Sequence, residues 1–475
     1  MTMADRKFHD TDVLPPLAVG DIAPIETGDM QLLVFAVAFS IMGLLPSIAS
    51  TLSFSIPAGP VGMVWGGLLR ADLASAMPTA GGLYFWTHYF SGEKWKNPLS
   101  FVVGYSNTIG LLGGVCSVDS RDGTWTASRP VLYGTYVACV VIHGLIATFF
   151  ARIMPNIQSA CIVSNVGLVV ATVLALPIGK FVNGGRINSA AYVFGHLENL
   201  TYWPQGWTFI MAWLSPIWTI GAFDSCVHMS EEATHAARAV PLGIIWSAAL
   251  CGVLGFVSLA VIAAVIDVNL EASLKTSFGQ PMAQVIAASR QSWAFSRDGA
   301  LPFSWFFRHV SKRIRFQPVR MVWGVVIAAI IVGLLSLINN AAASALFSLA
   351  VAGNDLAWMM PILCRLVWGQ ERFHPGEFYT GRFSRPVAVI AIIYLIFAIT
   401  LSMFPTTGPN PTAQDMNYTV VINGALWGGA LLYYALYARK VYRGPQTTVK
   451  TSSSPLPPEM STAGVEENKA NSVRG

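Results

Sequence analysis

The chain has 475 residues, of which 54% are apolar and only 11% charged, against roughly 25% charged in an ordinary soluble domain. That charge is too little to cover a soluble globule, and a chain this hydrophobic is not disordered in bulk. The net charge of +5 comes without the dense basic stripe that nucleic acid requires. What remains is an all-α polytopic membrane protein with no nucleic-acid partner.

Residues 1–29 hold the acids Asp5, Asp10, Asp12, Asp21, Glu26 and Asp29 against Arg6 and Lys7. This acidic start lacks the short apolar core of a secretory signal and reads as a cytoplasmic tail. A membrane span needs ~20 apolar residues, because each helical residue rises ~1.5 Å and the hydrocarbon core is ~30 Å thick. Ten stretches come close to this or exceed it. They are Met30–Ile56, Phe101–Val118, Val131–Ala151, Ile157–Gly179, Trp207–Met229, Val240–Ile266, Met321–Ile338, Ala345–Leu363, Val387–Phe404 and Tyr418–Tyr437. Backbone groups in lipid must be satisfied internally, so runs of this kind are helices. Val61–Leu69 is apolar but rises only ~14 Å as helix. Extending it buries Arg70 and Asp72, at ~2.5–3.5 kcal/mol each at mid-membrane.

Arg290–Arg320 holds seven bases and one acid, which places it on the cytoplasmic side. Arg365–Arg385 and the end after the last span read the same way. The long loop Lys180–Gly206 carries interfacial tryptophans and the sequon Asn199-Leu200-Thr201. The tail from Gly444 is rich in Pro, Ser, Thr and Glu and is expected to be disordered. The six cysteines lie in apolar stretches at no metal-ligand spacing, so neither a zinc site nor a disulfide framework is expected. GxxxG pairs at Gly62/Gly66, Gly110/Gly114 and Gly424/Gly428 read as close helix packing.

No Walker, zincin, nucleophile-elbow or dinucleotide-binding motif occurs, so neither enzyme nor ATP-driven pump is indicated and no cofactor is called for. The informative features are interrupted spans. Met30–Ile56 has Ser40, Gly43, Pro46 and Ser47 in its middle, and Trp207–Met229 has Ser215, Pro216 and Gly221, then Asp224. Counting the short piece as the second helix, these are helices 1 and 6. That five-helix spacing is the one an inverted 5+5 repeat requires, where broken helices expose backbone to a polar solute. The ordinary abundance of Gly and Pro in membrane helices explains the pattern equally well. Intramembrane ionisable groups are functional candidates by default. Asp224 and Asp355 qualify, while His143 reads as a packing residue.

Several strings resemble the fungal amino acid, choline and GABA permeases of the amino acid–polyamine–organocation superfamily. They include Phe39–Phe54 (FSIMGLLPSIASTLSF), Ala71–Thr87, Gly221–Pro241 (GAFDSCVHMSEEATHAARAVP), Ser289–Ser304 (SRQSWAFSRDGALPFS), Ser348–Leu366 and Phe373–Ala391. The resemblance runs from about residue 20 to residue 445. It implies a twelve-helix, 5+5 inverted-repeat secondary transporter of the plasma membrane or the vacuole. Its substrate would be an amino acid or small amine such as GABA or choline, driven by a proton gradient. The first repeat would fall at about 30–179, the second at about 207–363, and two extra helices at 387–437, with tails at 1–29 and 438–475. The family's unwound segments fall on Ser40, Ile41, Met42, Gly43 and Leu44, and on Ile220, Gly221, Ala222, Phe223 and Asp224. The lysine that some relatives carry on helix 5 is replaced by Ser164 and Asn165, which leaves the proton carrier unassigned. No cofactor is implied, and the oligomeric state is open.

Three departures from the family pattern stand out. Helix 2 is cut between Gly67 and Arg70, helix 3 after Val118, and helix 8 is missing between Val285 and Ala287. That leaves about ten full spans. Losses this abrupt resemble omitted exons, and they raise a second reading: a truncated, non-transporting isoform or a nutrient-sensing membrane protein. They also pose a problem of parity, because an even number of crossings must precede Arg290. Either Val61–Leu69 does not cross, or Asp267–Ala288 returns through the bundle as an extended path.

Overall fold

The computed structural model describes residues 35, 39, 42–58, 83–116, 120–121, 128–149, 154–221, 236–266, 277–278, 284–311, 318–337, 340–373, 381–405, 408–412 and 416–445. Apart from the end residue Pro445, they belong to one compact unit, Ile25–Gly444. Fifteen α-helices are described: α1 Leu44–Ser55, α2 Leu83–Phe90, α3 Lys96–Cys116, α4 Arg129–Phe149, α5 Met154–Val182, α6 Ala190–Gly195, α7 Gln205–Met211, α8 Leu214–Ile220, α9 Ala236–Val265, α10 Gln284–Arg297, α11 Ser304–Phe307, α12 Val319–Gly333, α13 Asn340–Val367, α14 Ser384–Ser402 and α15 Thr419–Leu436.

Each of the ten apolar stretches carries helix. Among the described residues, six segments are both long and apolar enough to cross a membrane: Ser159–Val182, Leu242–Val265, Val319–Leu337, Ser348–Val367, Gly381–Ser402 and Thr419–Leu436. α3 and α4 have 21 residues each, or ~31 Å of rise. The stretch expected to lack helix 8 holds α10, a helix of 14 residues. At ~21 Å it is shorter than the ~30 Å hydrocarbon core. The remnant Val61–Leu69 lies outside the described residues.

The chain between α9 and α10 is not helical where it is described. Ser277–Phe278 (β2) pairs antiparallel with Ser120–Arg121 (β1), which follows α3, and β2 also lies against α1. Two truncated ends, after helix 3 and before helix 8, therefore meet and satisfy each other's backbone groups. Ser277–Phe278 is extended, while Gln284–Ala288 of the same stretch is helical.

α3 crosses α13 closely. Gly110, Gly113 and Gly353 leave no room there: a Cβ on Gly353 would lie 2.8 Å from the Ser106 carbonyl oxygen, and one on Gly110 2.4 Å from Asn354 Oδ1. Contact this close lets polar groups pair between helices. Ser106 Oγ donates to Gly353 O at 2.8 Å, Trp427 Nε1 donates to Ser106 Oγ at 3.2 Å, and Asn107 Nδ2 donates to Asn354 Oδ1 at 3.4 Å. The GxxxG reading holds at Gly110. It fails at Gly424 and Gly428, around which no neighbour lies within 4 Å. These two face outward on α15 because that helix packs on α3 and α13 through Asn423 and Trp427 instead.

A second polar cluster joins α2, α3, α10 and the segment after α15. Tyr84 donates to Asp298 Oδ2 at 2.8 Å, and Tyr442 Oη and Ser100 Oγ lie 2.5 Å apart. Tyr442 is buried against Phe101. Burial, then the Asp298 carboxylate, pushes the Tyr84 phenol well above its usual value.

Candidate functional site

The first break is local chemistry. Gly43 has φ +45° and ψ +65°, a left-handed conformation that interrupts helix between Met42 and Leu44. A side chain there costs ~1–2 kcal/mol, which glycine avoids. Pro46, the third residue of α1, has no N–H to give to Met42 O. The Ser47 hydroxyl takes that carbonyl instead, while Ser47 N bonds Gly43 O at 2.8 Å. The strained turn is thus held by its own next residues.

The second interruption is milder and shares only the proline position, because Ala212 and Trp213 stay right-handed. α8 also has proline third, Pro216, and a turn at Ala212–Trp213 separates it from α7. Proline lacks the N–H that would reach Ala212 O, and its ring crowds that carbonyl. α8 then stops at Gly221, whose φ of −66° is right-handed. The sequence places the sixth-helix break at Ile220–Asp224, and the structure adds an earlier interruption at Ala212–Trp213.

Of the ten expected site residues, five are described. Met42 and Leu44 on the first broken helix and Ile220 on the second are buried in one apolar cluster. Gly43 sits at the first break, and Gly221 caps the end of α8. Ser40, Ile41, Ala222, Phe223 and Asp224 lie outside the described residues. The two broken helices are tied directly: Thr51 Oγ1 and Ser215 Oγ lie 2.8 Å apart, both buried. Sequence reasoning missed this pair, although a Thr and a Ser each inside a broken apolar span were the available signal. It also missed Trp358 of α13, which is 1% exposed within the same apolar cluster as Met42, Leu44 and Ile220. Phe39, which precedes the first break, is buried and stacked on Phe35 at 5.4 Å.

The described site residues are apolar or glycine, so polar recognition there falls to backbone groups. The first turn of a helix has N–H groups without intrahelical acceptors. Together with the helix dipole they favour an anionic group such as a carboxylate. A last turn offers carbonyls, which suit an amine.

Comparison with known proteins gives the family. A family model described as amino acid permease matches residues 30–286 and 272–426. The chain belongs to the amino acid permease family. It is therefore a multi-pass membrane transporter and not an enzyme. It is 38% identical to the "GABA-specific permease" of Saccharomyces cerevisiae, covering 94% of this chain and 87% of that protein. It is 30% identical to an uncharacterised amino-acid permease of Schizosaccharomyces pombe, covering 94% of each, and 24% identical to a "putative polyamine transporter" of Candida albicans. A solved manganese transporter of Eremococcus coleocola aligns at TM-score 0.40 and 13% identity, covering 87% of this chain and 95% of that one. The alignment to the yeast permease runs over 501 positions, more than this permease has residues, so the relative holds positions absent here. The family match is also in two pieces that overlap at 272–286, the stretch where helix 8 is short.

Proposed function

We propose that this permease is a proton-coupled secondary transporter of a small amino acid, with GABA as the first candidate. The single observation that carries the reading is the paired break. Each broken helix has proline as its third residue, Gly43 is left-handed, and Thr51 and Ser215 hold the two helices together. The 38% identity to a protein named a GABA-specific permease supports the substrate class. In this reading the substrate carboxylate meets the N–H groups that open α1, and its amine meets the end of α8 and Asp224. Ser40, Ile41, Met42, Gly43, Leu44, Ile220, Gly221, Ala222, Phe223 and Asp224 form the site. The 5+5 repeat, the two extra helices and a cytoplasmic Arg290–Arg320 belong to the same proposal.

Uptake of radiolabelled GABA, choline and amino acids in a transport-deficient cell tests it. Saturable GABA uptake stimulated by acid outside supports the reading. Uptake no greater than in empty cells, from protein shown to be at the membrane, favours the truncated or sensing form.

A further inference from the structure

We propose that Asp355 is the group that takes up the coupling proton, a role that rests on the proton-coupled reading above. Asp355 lies near the middle of the 28-residue α13 and within the membrane-length segment Ser348–Val367. It is 6% exposed. Among the described residues, no other Asp or Glu lies within a segment long and apolar enough to cross a membrane. A buried intramembrane carboxylate is costly, so its retention points to ion or proton traffic.

Helical spacing decides where it looks. Asp355 is rotated by about 40° from Val351 and about 60° from Trp358, at 100° per residue, so the three share one face. Val351 packs in a cluster with Leu214 and Ile217 of α8. Trp358 belongs to the cluster that holds Met42, Leu44 and Ile220. The carboxylate therefore shares a helix face with two residues whose apolar clusters extend to both broken helices. Gly353, about 160° from Asp355, takes the opposite side and faces α3, and Asn354, about 100° from Asp355, bonds Asn107 of α3.

α13 packs on α2, α3, α14 and α15. Of their titratable groups, Tyr394 of α14 packs against the cluster that holds Val351. Tyr105 of α3 and Tyr433 of α15 lie against each other at 6.3 Å. Tyr84 of α2 bonds Asp298, His88 of α2 bonds Asn97, Lys96 pairs with Glu93, and Cys364 and Arg365 of α13 itself bond Ser91 and Ser384. In this proposal Asp355 exchanges the proton from the face it shares with Val351 and Trp358, whose clusters reach the broken helices. The step is a simple protonation: the carboxylate gains a proton facing the acidic side and loses it facing the other.

The test uses the full chain in lipid and does not depend on transport. pH-difference infrared spectra from about pH 8 to about pH 5 should show a protonated-carboxyl stretch in the wild type and in Asp224→Asn. The band should be absent from Asp355→Asn and return, shifted, in Asp355→Glu, which also controls for folding. In vesicles, Asp355→Asn should lose at least about tenfold in proton-driven GABA accumulation while GABA exchange changes by less than about twofold. A band that persists in Asp355→Asn, or a wild type with no titrating carboxyl band, overturns the proposal. A wild type that shows the Asp355 band but moves no GABA supports it as a proton site while refuting the transport reading.

Discussion

Replacing Gly43 and Gly221 separately by alanine should give unequal results. Gly43 holds φ +45°, where a Cβ costs ~1–2 kcal/mol relative to glycine. That cost falls on the broken state and not on a straight helix, so Gly43→Ala shifts the balance toward straight helix by ~5–30-fold. Gly221 has φ −66°, which alanine adopts freely. Its Cβ would lie 3.0 Å from the Ile217 carbonyl oxygen, a tight contact that a small shift relieves. The gain in helix preference there is only ~0.4–1 kcal/mol. Initial uptake rates in a transport-deficient cell, normalised to surface protein, provide the assay. Gly43→Ala should lose most of its uptake and Gly221→Ala should stay within about fivefold of wild type. Equal losses, or a harmless Gly43→Ala, would refute the argument that the left-handed turn at Gly43 shapes the site.

Other consequences are measurable. Gly110→Ala or Gly353→Ala forces a methyl into the α3–α13 crossing and should destabilise the detergent-purified protein by ~1–3 kcal/mol, seen as a lower Tm; an unchanged Tm would mean the crossing is looser than it looks. Thr51→Val with Ser215→Ala forms a double-mutant cycle whose coupling should be ~0.5–1.5 kcal/mol, read by thermal unfolding, and zero coupling would dissolve the tie between the broken helices. Burial, only partly offset by the Asn97 hydrogen bond, holds the His88 imidazole below its ordinary value. The unfolded chain then binds the extra proton first, so this contribution to stability is present above about pH 6.5 and is lost as pH falls below it. His88→Gln should flatten that acid-side decline in Tm, and an undiminished decline would assign it elsewhere.

The helices were legible because a ~20-residue apolar run in lipid has only one way to satisfy its backbone. Gly43 was legible for a similar reason, since glycine and proline within four residues of each other punctuate a helix. The turn at Ala212–Trp213 was not, because proline disturbs the carbonyl four residues before it and the eye follows Gly221 after it. Gly424 and Gly428 look like Gly110 in sequence, yet only Gly110 meets another helix; spacing marks a face as small and cannot say what covers it. Asp355 stood out as a charge in an apolar run. What it faces needed the packing of Val351 and Trp358.

The central claim is that two broken helices move a small amino acid. It is tested most directly by equilibrium counterflow of radiolabelled GABA with the purified permease in liposomes, beside Gly43→Leu as the control. Transient accumulation of label by wild type, absent from a folded Gly43→Leu, is the predicted result. No counterflow by wild type, or equal counterflow by Gly43→Leu, would contradict the account.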